Sequence, residues 1–330
     1  MKKSLIAMAV LAAAGAASAQ SSVQLYGIAD VWVGAQKIGA AKAQTVVESG
    51  GVDASRFGLK GSEDLGGGLK AIFTLEQGFN LDTGAQATAG QAFSREASVG
   101  VAGNFGTVKL GKVWTAYDDV QNASNPVFDS ALTPSAGAFA TTAAATGYLA
   151  NPANGIKYTS PSFAGVTGIV SYALDENTAG NAEVSALAVQ YANGPLAAAV
   201  AYQNQQAVGF VNSIEFTNLN ASYNLGVVTL KGSYAQRDNN NGIKDKEYQL
   251  GVDYPLASNL ILSAGYASSE NKDKGVKQSD NSGLGLAAAY LLSKRTTAYA
   301  GVRSTKLDHV NAAIADVTTN VYAVGVKHAF

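Results

Sequence analysis

The side chains that usually carry enzyme chemistry are scarce in this chain. Cysteine is absent and there are two histidines, His309 and His328. This excludes a thiolate nucleophile, a disulfide framework and a thiolate metal centre. The two histidines fall on different elements, which gives neither a metal pair nor a triad. No Gly-x-Ser-x-Gly elbow is present. Gly283-x-Gly285 and the Gly66–Gly68 run read as packing and turn glycines, because no strand-then-helix phosphate cradle follows them. What remains is charge. Arg56, Lys60 and Lys70 share one alternation parity. The long segment 113–154 holds Asp118, Asp119 and Asp129 and no lysine or arginine. Fixed charges of both signs act on ions and polar solutes when a narrow, low-dielectric passage concentrates their field.

Such a passage needs walls. Charged residues make up 14% of the 330 residues, against about 25% in soluble domains. Mean hydropathy is nevertheless only +0.05. The net charge of −1 argues against a nucleic-acid partner, which needs a basic surplus. Met1-Lys-Lys3, an apolar run from Leu5 to Ala17 and the small-residue site Ala17-Ser-Ala19 form the three parts of a secretory leader. Residues 1–19 are therefore expected to be removed, leaving 20–330 as one domain.

No later run reaches the ~18 apolar residues of a spanning helix. Period-two alternation is widespread instead: Val23, Leu25, Val31 and Val33 against Gln24, Tyr26, Asp30 and Trp32; Tyr248, Leu250, Val252 and Tyr254 against Glu247, Gln249 and Asp253. A soluble sandwich would alternate too. The connections favour a barrel, since seven short turns alternate with eight longer polar loops, as in outer-membrane barrels. Among the loops are 36–52, 114–154, 238–244 and 270–280. Tyr26, Phe79, Phe105, Tyr172, Tyr191, Tyr223, Tyr254, Tyr290 and Phe330 stand near strand ends, consistent with interfacial girdles. The pattern predicts sixteen antiparallel strands, with the first over 22–35, the second over 53–62, the fifth over 106–116 and the last over 317–330. An even count lets the last strand pair with the first, and sixteen strands leave an aqueous channel.

Ser55-Arg-Phe-Gly-Leu-Lys-Gly-Ser-Glu-Asp-Leu-Gly-Gly-Gly-Leu-Lys-Ala71 resembles the second-hairpin signature of Gram-negative general porins of the beta-proteobacterial branch. Asn104-Phe-Gly-Thr-Val-Lys-Leu-Gly-Lys112, Ile156-Lys-Tyr-Thr-Ser-Pro161, Leu292-Ser-Lys-Arg-Thr296 and Gly325-Val-Lys-His-Ala-Phe330 extend the resemblance along the whole chain. It implies an all-β, sixteen-stranded transmembrane barrel with an inward-folded third loop, forming homotrimers in an outer membrane bearing lipopolysaccharide. It implies passive diffusion of small hydrophilic solutes and ions, with no cofactor and no metal. Phe330, with Val326, Val324 and Tyr322 on its face, looks like the signal read by the barrel-assembly machinery, and His328 shares that face.

The resemblance also places basic residues on a constriction wall: Arg56 and Lys112 most directly, with Lys60, Lys70 and Lys157 on inward positions. Arg95 resembles a pore arginine of the family. It shares the odd parity of Ala97, Val99 and Val101, which would put it either above the membrane level or beside a bulge. Asp118, Asp119 and Asp129 would face that wall from the third loop. Residues 147–154 lack an arginine that some anion-selective relatives carry there, so the expectation is a weak anion preference or near neutrality. A substrate-specific channel, and an adhesin or antigen using the loops of the same barrel, are the alternative functions.

Overall fold

The computed structural model describes residues 22–121, 123, 125, 127, 131–139, 147–176, 183–206 and 212–330. The expected leader 1–19 and Asp129 lie outside the described residues. Seventeen β segments run in chain order. The first six are β1 (Ser22–Ile38), β2 (Gln44–Ser49), β3 (Arg56–Gly66), β4 (Leu69–Gly78), β5 (Glu96–Gly103) and β6 (Gly106–Lys112). A short helix, α1 (Asp118–Gln121), precedes β7 (Gly155–Thr159), β8 (Val166–Ala173), β9 (Glu183–Asn193), β10 (Leu196–Gln206) and β11 (Ile214–Asn224). Then come β12 (Thr229–Asp238), β13 (Ile243–Ala257), β14 (Leu260–Asp273), β15 (Val276–Leu291), β16 (Thr296–His309) and β17 (Val317–Ala329).

From β3 onward each segment pairs antiparallel with the next. β17 then pairs with β1, from Ile28 opposite Ala329 to Ile38 opposite Thr319. The other side of β1 is shared. Residues 22–28 pair with β3 and residues 31–36 pair with β2. β2 and β3 therefore lie end to end as one strand, interrupted by an excursion at 50–55, and the barrel closes with sixteen strands. Closure leaves no unpaired sheet edge, which is what a lipid environment requires of backbone N–H and C=O groups.

The alternation is legible on the surface. Val23, Leu25, Val99, Leu219, Leu230, Leu250, Leu284 and Val324 are exposed on the outer face. Their inward neighbours include Asn218, Asn220, Glu247, Gln249 and Ser263, all buried. Charge on the outward face costs roughly 2–4 kcal/mol at midplane, so it is kept to the lumen, the turns and loops, and the strand ends beyond the apolar band. At the turn between β3 and β4, Gly66, Gly67 and Gly68 have φ of 85°, 62° and 81°. Only glycine takes three such values in succession without steric cost.

Some expectations need correction. The loop expected over 36–52 contains β2, because Val46 and Val47 continue the ladder with β1. The loop expected over 270–280 shrinks to a tight turn, with Asp273 pairing Val276. The loop expected over 238–244 is likewise shortened, since Asp238 pairs Lys244. The polar residues there stand at strand ends beyond the apolar band, where water tolerates them. The fifth strand ends at Lys112 rather than 116. Tyr26 is not a girdle residue: its hydroxyl donates to Glu76 Oε2 at 2.9 Å, on the inward parity.

The third loop turns into the barrel. At its neck the Thr115 N–H donates to the Ala150 carbonyl at 2.8 Å. The path is then fixed by inward side chains of successive strands. Ser171 Oγ of β8 accepts from the Ala116 N–H at 2.9 Å, and Asn220 of β11 donates to the Val120 carbonyl at 2.8 Å. Lys231 and Gln249 hold Asn125, and Ser269 of β14 donates to the Ala138 carbonyl at 2.7 Å. Apolar packing adds to these bonds. Tyr117, Val120 and Tyr148 pack on Ile169, Ile214 and Phe216. Val127 and Leu132 pack on Trp32, Tyr299 and Val321. The inner wall under the loop thus mixes apolar patches with polar side chains that bond the loop backbone.

Candidate pore constriction

The charged lumen residues form a string along the wall. Lys327 Nζ of β17 lies 3.8 Å from Asp53 Oδ2, and Asp53 Oδ1 accepts from Arg56 at 2.7 Å. Arg56 Nε is 3.8 Å from Glu76 Oε2, and Glu76 Oε1 accepts from Arg95 Nε at 2.6 Å. The Arg95 guanidinium ends the string over the Trp114 ring, 4.9 Å from its centroid, a cation–π contact. Each cation is flanked by carboxylate or aromatic ring, so the side chains are held in place, and charge-assisted bonds of this kind are stronger than neutral ones.

Arg95 resolves its own parity conflict. It stands one residue before the β4–β5 ladder, which begins at Glu76 opposite Glu96. Strand alternation does not bind it, and it turns inward to Glu76. Lys112 sits opposite Ala97, the last pair of β5 with β6. Gly111, at φ 125°, bends the chain there. Lys112 Nζ then donates to the Asn151 carbonyl at 2.6 Å. Asn151 in turn donates to the carbonyls of Ser94 and Arg95, at 2.9 and 2.6 Å. No carboxylate lies within ion-pair distance of Lys112 among the described residues.

Lys157 of β7 is ion-paired with Asp119 of α1, tying the loop to the wall. Burial pushes the Asp119 carboxyl above the ordinary carboxylate range, and the Lys157 ammonium opposes that shift. Asp118 accepts from the Tyr148 hydroxyl at 2.7 Å and from Gln121 Nε2 at 3.2 Å.

Arg56, Arg95 and Lys112 line one cavity of about 920 Å³ together with Asp53, Asp118 and Asp119. Loop residues Gln121, Asn125, Thr133, Tyr148 and Asn151 also line it. Lys60 and Lys70 do not line it. Lys60 lies over the Tyr26 ring at 4.9 Å, and Lys70 pairs in register with Asp64 beside the glycine turn. Several charged residues were not singled out in the sequence: Asp53, Glu76, Lys327, and Lys109, which pairs with Glu96 at 2.8 Å. Glu76 and Glu96 were readable from parity, because they alternate with Leu75 and Ala97. Asp53 was not, because it lies in the 50–55 excursion.

A closed barrel that is apolar outside, polar and charged inside, and crossed by its own loop defines a transmembrane diffusion channel. The chain belongs to the Gram-negative porins, whose family profile matches residues 5–310. It is 36% identical over 346 residues to outer membrane porin protein 32 of Delftia acidovorans, covering 99% of this chain and 95% of that protein. An outer membrane porin of Bordetella pertussis is 28% identical over 397 residues, covering the whole of both chains. Among solved structures, an anion-selective porin from Comamonas acidovorans superposes with a TM-score of 0.79 at 30% identity, covering 94% of this chain and all of that one. The protein is an outer-membrane porin, a passive diffusion channel.

Proposed function

We propose that the cavity between the third loop and the wall of Arg56, Arg95 and Lys112 is the constriction of this porin, and that it passes small hydrophilic solutes and ions with a weak preference for anions. The observation that carries this reading is the cavity's lining. Three cations meet three carboxylates, which argues against strong selectivity of either sign. Lys112 is the cation answered by a carbonyl rather than a carboxylate, and it tips the balance toward anions. Asp118 and Asp119 line the same cavity from the third loop, so acids of the loop and bases of the wall together give a field that orients a polar solute. The solved relative described as anion-selective agrees in sign.

The protein works as a channel without a catalytic role, as a homotrimer among outer-membrane lipid and lipopolysaccharide. Phe330 serves as the assembly signal. In support, Tyr322, Val324, Val326 and Phe330 are all exposed on the outer face. The terminal residue also zips onto β1, exchanging 3.0 Å backbone hydrogen bonds with Gly27.

The test is the reversal potential of purified, folded protein in a planar bilayer under a potassium chloride gradient. A small potential of the sign for anion preference is expected. Marked cation selectivity overturns the reading.

A further inference from the structure

Outside the charge string, the carboxylate of Asp30 in the lumen wall accepts four hydrogen bonds. The residue is fully buried on β1. Its Oδ1 accepts from the Gly51 N–H at 3.0 Å and from the Tyr299 hydroxyl. Its Oδ2 accepts from the N–H groups of Val52 and Asp53, at 3.1 and 2.8 Å. Its own backbone is clasped by Ser55: the Asp30 N–H donates to Ser55 Oγ, and that hydroxyl lies 3.0 Å from the Asp30 carbonyl. The Gly50 N–H also donates to that carbonyl, at 3.0 Å.

Every one of these contacts is to the excursion at 50–55 or to Tyr299. Tyr299 reaches Asp30 only because two glycines give it room. A Cβ at Gly51 would stand 2.0 Å from its hydroxyl oxygen, and one at Gly325 would stand 2.3 Å from it.

The excursion bears on the pore in two ways. It carries Asp53, whose carboxylate holds Arg56. It also seats the far end of the third loop: the Gly50 carbonyl accepts from the Ala131 N–H at 3.3 Å, and Val52 packs among Val127, Leu132, Trp32 and Tyr299. The segment that Asp30 holds thus touches both the Arg56 pair and the third loop.

We infer that Asp30 is a positioning residue for the constriction. It fixes segment 50–55, and through it the Asp53–Arg56 pair and the seat of Ala131, so that conductance and ion preference depend on it although it does not face the solute. The inference rests on the proposed constriction.

Asp30→Asn tests it. Asparagine has the same shape but offers one acceptor and a donor, so in either orientation at least one of the three backbone N–H groups would face an NH₂. In single-channel recordings of folded protein, conductance should rise and the anion-to-cation permeability ratio should move by about twofold or more, the scale of displacing one lumen charge. Tyr299→Phe removes a single donor and should act in the same direction with smaller size. Altered heat stability of the barrel with unchanged conductance and ratio would overturn the inference. If Asp30→Asn does not fold, Tyr299→Phe decides on the same readouts. Arg56→Ala is recorded in parallel. No change there defeats the constriction reading itself. A change there, with none from Asp30→Asn and Tyr299→Phe, defeats only the role of Asp30.

Discussion

Gly283 of β15 lies directly under Pro134 of the third loop: a Cβ on the glycine would stand 1.9 Å from the proline carbonyl oxygen. Gly285 and Gly301 repeat the relationship with Leu132, at 2.7 Å in each case. Three glycines on the inner faces of two neighbouring strands thus form a shelf for the loop. Replacing Gly283 by Leu should lift Pro134 off the wall while β15 keeps its pairing. Single-channel conductance should change and the barrel's resistance to denaturant should hardly move. Unaltered conductance in folded protein would mean that the loop's seat on β15 does not set the passage.

Arg56 and Lys112 give the most direct electrostatic test. Changing both to Glu reverses two of the three cations lining the cavity. A unit charge about 4 Å away in water is worth on the order of 1 kcal/mol, so the permeability ratio should swing several-fold toward cations. Lumen changes tune selectivity without removing the barrel's lipid-facing surface. A reversal potential equal to that of the unmodified protein would remove both residues from the constriction.

Acidification should increase anion preference. The carboxyl of Asp119, in the loop, is raised above its ordinary range by burial, so it gains a proton at a higher pH than an exposed carboxylate. Protonation removes a negative charge and leaves the Lys157 ammonium unanswered. The permeability ratio measured from neutral pH downward should therefore turn toward anions, and Asp119→Asn should flatten the early part of that curve. A ratio that stays level or turns toward cations contradicts the assignment.

Leu230 and Val252 are directly paired on adjacent strands and lie on the outer face. Arginine at Leu230 should cost roughly 2–4 kcal/mol if the site is near midplane. Reversible unfolding from lipid vesicles in denaturant measures this. A neutral result would mean that the residue faces water.

The lumen charges show how far the sequence reached. Strand parity alone turned Arg56 and Lys157 inward, since one residue's position sets the face of its neighbours. Lys60 and Lys70 share that parity, yet one lies over Tyr26 and the other beside Asp64, because parity says nothing about depth along the barrel. The parity of Arg95 points outward, but the residue lies one position before the β4–β5 ladder and is not bound by it. Phe216 and Ile214 face inward by strand alternation, but what buries them is Tyr117 and Tyr148 from a distant loop.

The sequence by itself determined the barrel: sixteen amphipathic strands, short turns against long loops, and closure of the last strand on the first. Those features are local and periodic, and a lipid surround admits few other solutions. Only the tertiary structure decided which charges meet. The Arg56–Asp53, Arg95–Glu76 and Lys157–Asp119 pairs depend on where a ladder starts, on an excursion that breaks a strand, and on the path of a loop that touches β8, β11, β14 and β15. Arg56 and Asp53 are only three residues apart but meet because Asp53 lies in the excursion beside the start of β3, while the other two pairs join residues distant in the chain, and no local pattern encodes those distances.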